Sequence, residues 1–314
     1  VSLRWTLLLV LIVGCDRYDL EGEFVGDACE EQGVRSFGPE SDSVEGYVDG
    51  PAWVDLRCAA ETAGLGTTRS DGRAADGVTS VHHGGRQVRW RPRSRLNPQT
   101  QYRVHFESPE GTHDWSFTTN GVGSPTDNRL AGVAFAMHAS DGRLLDPPGL
   151  DDALAPLLAG LHPVIQFRGD PGGPEGSAAA VLGARESDAS DAEQDLAART
   201  WAPNARWDDP LFEIGPLRLE WPVAGVPFVV ENARVGGGLS PDVAWGAGFS
   251  LEGWWDTRPA DDLLGDGPGS LCEASEAAGG ECTECTDGAR SCLRFELVLA
   301  RATEWDGTLD DNAP

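Results

Sequence analysis

The stretch QVRWRPRSRLNPQTQYRVHFESPEGTHDWSFTT, residues 87–119, switches between apolar and polar side chains at almost every step. Val88 and Trp90 alternate with Arg89 and Arg91. Tyr102, Val104 and Phe106 alternate with Arg103 and His105, and Trp115 and Phe117 flank Ser116. A two-residue period puts one set of side chains against a core and the other in water, as in a half-buried strand. Asn97-Pro98 and Pro109-Glu110-Gly111 supply turns between the runs. Short strands with regularly spaced turns predict an antiparallel sandwich. Trp53–Leu56 is a further strand of this kind, and the pattern extends over residues 41–120.

Within it, Trp90-x-Pro92, Leu96-x-Pro98-x-Thr100-x-Tyr102-x-Val104 and Trp115-x-Phe117-Thr118-Thr119 resemble the last strands of bacterial Ig-like domains of the S-layer-associated type. The resemblance implies a spacer or adhesive module of a cell-surface protein. It makes these positions core and turn residues and gives none of them a catalytic role.

Outward from this unit, residues 121–129 read as a Gly/Pro/Asp linker, 130–305 as a second, larger domain and 306–314 as a polar tail. Strand candidates are Val133–His138, Pro163–Arg168, Leu217–Trp221, Pro227–Asn232, Gly248–Trp254 and Leu293–Ala300. Asp151 or Asp152 is placed to cap a helix that Gly160 stops, with Pro156 limiting it to a turn or two. Ser270 and Glu273 form a capping box for a second helix ending at Gly279-Gly280. Strands do not alternate with long helices, which argues against a parallel sheet. The expected class is mainly β: an N-terminal Ig-like β-sandwich, then a larger disulfide-stapled antiparallel β-sandwich with short helices.

The chain opens with Arg4 and an apolar run from Trp5 to Val13. The run is too short to span a bilayer, which takes about 20 residues. A basic residue followed by such a run reads as a secretory signal, residues 1–14. Ile12-Val13-Gly14-Cys15 resembles the lipobox of bacterial lipoproteins, which implies cleavage before Cys15 and lipidation of Cys15. Residues 15–40 then form a tether, and acyl chains on Cys15 make the membrane a partner. The expected location is the cell envelope, with the outer membrane or cell surface favoured over the inner membrane.

The formal net charge is -27, and all 24 basic residues are arginine. Binding to nucleic acid relies on cations that neutralise phosphates, so it is not expected. Outside the cytoplasm disulfides persist, and the seven cysteines divide accordingly. Cys15 takes lipid, Cys29 and Cys58 pair near the base of the Ig-like unit, and Cys272, Cys282, Cys285 and Cys292 form two bridges. A Cys282–Cys285 bridge is disfavoured because its ring is small; the other two connectivities stay open. A zinc site wants cysteine knuckles at both ends of a loop, and a redox centre wants its Cys-x-x-Cys where a strand enters a helix. The sequence offers neither setting.

No His-Glu-x-x-His, Gly-x-Ser-x-Gly or P-loop string occurs. His82-His83 before Gly84-Gly85 reads as an exposed turn. Acidic loops offer hard oxygen ligands for calcium without EF-hand spacing: Asp208 and Asp209, and more favourably Asp256, Asp261, Asp262 and Asp266. Trp254 and Trp255 are strand neighbours that point to opposite faces, so one is a candidate to stack on a sugar ring unless a loop covers it. The expected function is a non-enzymatic envelope lipoprotein acting as a structural or binding module, with an envelope protein or polysaccharide as candidate partner. The rivals are a carbohydrate-binding surface protein, with or without calcium, and a hydrolase with non-contiguous carboxylates.

Overall fold

The computed structural model describes residues 33–309, except 45, 61, 110, 127–129, 140–141, 148–149, 170–176, 186–193, 224, 265–266, 278 and 308. The signal, Cys15, Cys29 and Asp266 lie outside the described residues.

Among the described residues the first unit has seven strands: β1 (Val34–Gly38), β2 (Ala52–Leu56), β3 (Gly64–Arg69), β4 (Gly77–His82), β5 (Gln87–Pro92), β6 (Gln101–Ser108) and β7 (Gly111–Thr118). They form two antiparallel sheets, β1-β2-β5-β4 and β3-β6-β7. The alternation read from the sequence sets the register. Val54, Val88 and Trp90 of one sheet pack with Leu65, Val104, Phe106, Trp115 and Phe117 of the other. β3 and β4 occupy a stretch where the sequence offered no strand candidate: Gly64 to Arg69 is rich in Gly and Thr, and β4 buries no side chain fully.

The second unit follows as β8 (Ala134–Met137), β9 (Gly142–Asp146), α1 (Asp151–Ala159), β10 (Pro163–Phe167), β11 (Ser177–Arg185), β12 (Gln194–Asp208), β13 (Leu211–Val223), β14 (Val226–Leu239), β15 (Trp245–Asp256), α2 (Arg258–Leu264), α3 (Ser270–Ala277), β16 (Cys282–Glu284) and β17 (Arg290–Glu304). These strands form one antiparallel sheet. β17 pairs with β15 on one side and with β8 and β9 on the other, which bends the sheet into a nearly closed barrel. Closure removes most of the free edges that an open sheet of this size would expose. Its core holds edge-to-face rings: Phe212 lies 5.3 Å from both Phe167 and Phe249, and Phe228 lies 5.3 Å from Phe295.

Two helix readings are corrected. α1 runs nine residues through Pro156 with Leu150, not an aspartate, at its cap position; burial of Leu154 and Leu158 in the core holds it. α3 is not closed by a Ser270–Glu273 box. Asp261, fully buried in the first turn of the preceding helix, caps it from outside: its carboxylate accepts from the Gly269 and Leu271 amides at 2.8 and 2.9 Å and from the Ser270 hydroxyl at 2.9 Å.

Candidate functional site

The outward side chains of β5 and β17 meet where the two units touch. On β17, Phe295 and Leu297 point into the barrel, so Glu296 between them points out. On β5, Val88 and Trp90 point into the sandwich, so Arg89 points out. Arg89 was expected to face water. It is 2% exposed and Glu296 3%, because each outer face covers the other.

β15 and β9 flank β17, which places Glu252, Glu296 and Asp146 side by side across three strands. Like charges directly opposite repel, and arginines answer them. Arg89 donates to Glu296 at 2.8 Å, to Asp146 at 3.0 Å and to the Leu145 carbonyl at 2.6 Å, and its Nε donates to Gln87. Arg91 reaches the other Glu296 oxygen, and Arg294 lies 3.7 Å from Glu252. Burial pushes the Asp146 carboxyl above the usual carboxylate range, with Arg89 opposing. His83 is not in an exposed turn. It is buried, its Nε2 lies 3.1 Å from the Leu145 carbonyl and 3.4 Å from Asp146. Its neighbour His82 is held down to about 4, by burial first and then by Arg89 and His83.

Further contacts extend the joint. Arg143 of β9 donates to Asp55 of β2 and lies over the Trp53 ring at 4.8 Å. Thr126 donates to Asp209 through both its amide and its hydroxyl, each at 2.9 Å.

Beside the joint opens a cleft of about 450 Å³. Gly236, Gly237 and Gly248 line it on the barrel side, and Tyr47, Asp49, Arg91 and Arg95 line it on the sandwich side. Gly248 has φ +63, and a Cβ there would stand 2.0 Å from the Tyr47 ring, so only glycine lets the ring seat against the barrel. Burial raises the Asp49 carboxyl above its ordinary range, with Arg95 and Arg91 opposing, and raises the Tyr47 phenol likewise. Arg95 is tied to Asp208 at 2.6 Å, and Arg234 to Glu213.

The structure scatters the residues singled out in the sequence. Asp256 faces the Arg258 guanidinium at 2.7 and 2.9 Å and Asp261 faces donors, so neither presents free oxygens to a cation. Asp262 is exposed on α2. No group of three or more metal-ligating side chains occurs among the described residues. Trp255 is core, packed 5.5 Å from Phe228. Trp254 is half-buried with the Arg294 guanidinium 5.9 Å from its ring centre. Cys272 is bonded to Cys282 and Cys285 to Cys292, which ties α3 to β16 and the turn after β16 to β17. Cys58 is disulfide-bonded too, to a partner outside the described residues. Every described cysteine is thus oxidised, which fits a location outside the reducing cytoplasm and leaves no described thiolate for a metal or a nucleophile. The sequence reading missed the joint and the cleft. Their local signal is the charged pair Arg294 and Glu296 on the outward face of the otherwise apolar stretch from Leu293 to Leu299.

No family model matches the chain, and no curated protein does. Among solved structures, an L,D-transpeptidase in complex with imipenem is 14% identical over 59% of this chain and 77% of its own, with a TM-score of 0.24. An L,D-transpeptidase from Mycobacterium smegmatis is 12% identical over 50% of this chain and 77% of its own, at 0.22. A three-Ig fragment of titin is 8% identical over 88% and 89%, at 0.20. These are distant structural similarities and assign no family.

Proposed function

We propose that the protein is a non-enzymatic lipoprotein of the cell envelope, anchored through Cys15, in which an Ig-like unit carries a barrel as a structural and binding module. One observation carries the reading. The cluster of Arg89, Glu296, Asp146 and His83 is buried and its members hold one another. A catalytic acid or base must reach a substrate proton, and these groups face protein. An ion cluster of this kind supports a fixed joint between two units, as a spacer that bears a binding face requires.

The test is a turnover screen of the full-length protein on polysaccharide, peptide and ester substrates, with mass spectrometry of the native membrane form. The expected result is no turnover and an acylated N-terminal Cys15. A hydrolysis that disappears on a single Asp or Glu substitution in the barrel, with the unfolding midpoint unchanged, would replace this reading with the hydrolase one. An unmodified Cys15 would remove the anchor. The sugar-binding rival is not favoured at Trp254 and Trp255, whose faces are taken by Arg294 and by the core.

A further inference from the structure

Four arginines and four carboxylates line the cleft: Arg91, Arg95, Arg206 and Arg234 against Asp49, Asp208, Glu213 and Glu252. Six of the eight are engaged with other protein groups. The side chains of Arg206 and Asp49 make no hydrogen bond or ion pair with another described residue, Asp49 feeling Arg95 and Arg91 only at longer range. A free guanidinium and a free, partly buried carboxyl therefore stand in one concavity whose volume falls in the small-ligand class. An arginine fork fits a carboxylate with two parallel bonds, and a carboxylate accepts from hydroxyls. Ser250 and Tyr47 add hydroxyl groups, while the apolar side chains of the lining are Leu211 and Phe212, which gives a peptide little to bury. The cleft is near neutral on a chain of net charge -27, so an anion meets less repulsion there than the chain's average surface would impose.

We propose that this cleft binds an acidic saccharide, its carboxylate on Arg206 and its hydroxyls on Asp49 and Ser250. The assignment deepens the binding-module reading by naming a ligand class for it, and it rests on that reading only in treating the ligand as released intact.

The test is calorimetric titration of the full-length, disulfide-intact protein with trigalacturonate and with neutral galactotriose. The acid binds, and the neutral sugar binds at least about tenfold more weakly. Arg206→Ala weakens the acid by about tenfold or more, Asp49→Asn weakens both sugars, and Arg218→Ala, on an exposed arginine of β13 outside the cleft lining, changes nothing. Equal affinity for the two sugars, no binding at millimolar acid, or an unaffected Arg206→Ala overturns the proposal. So does tighter binding of a short peptide through its terminal carboxylate with the same dependence on Arg206. Mass spectrometry of the recovered sugar separates the two readings: a cleaved ligand ends the non-enzymatic one, whereas lost dependence on Arg206 ends this one.

Discussion

Arg89 and Arg91 stand two residues apart on the same face of β5, and the joint and the cleft divide them. Arg89 lies under the barrel, 2% exposed, bonded to two carboxylates, a carbonyl and Gln87. The side chain of Arg91 is 48% exposed; it holds Glu296 with one end of its environment and borders the cleft with the other. The same residue type, on the same strand, is a structural bolt in one place and part of a wet wall in the other. Burial makes the difference. A charge taken out of water is tolerable only with its partners in place, whereas one left half in water depends less on its partner.

The sharpest way to break this comparison is Arg89→Ala. It leaves Glu296 and Asp146 buried without their main cation, and we expect a loss of about 3–5 kcal/mol in urea unfolding. A loss below about 1 kcal/mol would mean that the joint is wet and that the two regions are alike. Gly248→Ala comes next, since it drives a methyl into the Tyr47 ring at a positive φ; it should cost about 1–3 kcal/mol. An unchanged midpoint would show that Tyr47 seats loosely between joint and cleft.

Acid tests the joint more gently. The pKa of His82 is depressed from 6.5 to about 4, so the unfolded chain takes up its proton first. That stability is present above about pH 6.5 and is lost as pH falls through about 4. Asp146 acts with the opposite sign, because its carboxyl is raised. Its contribution is complete below the ordinary aspartate value of 3.8 and is lost as pH rises through its folded value. Thermal melts of His82→Gln should therefore fall less steeply than wild type across the acid limb; identical slopes would discount the burial of His82. The smallest effect belongs to Arg206→Ala, an exposed arginine whose side chain bonds no other described residue, and its stability should shift by less than about 0.5 kcal/mol. A larger loss would make Arg206 a structural residue and the cleft an extension of the joint.

Much of the architecture was readable along the chain. The alternation at Val88-Arg89-Trp90 and at Tyr102 to Phe106 set which side chains enter the sandwich core, and those residues lie there. Five of the six strand candidates of the second unit sit within longer or equal strands or overlap them closely, as Leu217–Trp221 does within β13; the sixth, Val133–His138, frames the shorter β8. β11 and β12 escaped notice because their small, polar and charged residues, as in Ser177-Ala-Ala-Ala and Arg199-Thr200, carry no strong period.

The sequence by itself determined which faces are apolar, that cysteines gather beside the last strand, and that the chain is strongly acidic. These are local properties, set by period, spacing and composition. Only the tertiary structure decided what covers the polar faces. Arg89 meets Glu296 across a separation of 207 residues, and alternation cannot tell a face that meets water from one that meets another domain. The closure of the barrel by β17 has the same origin: it depends on which distant strands arrive alongside, and short-range chemistry carries no record of that.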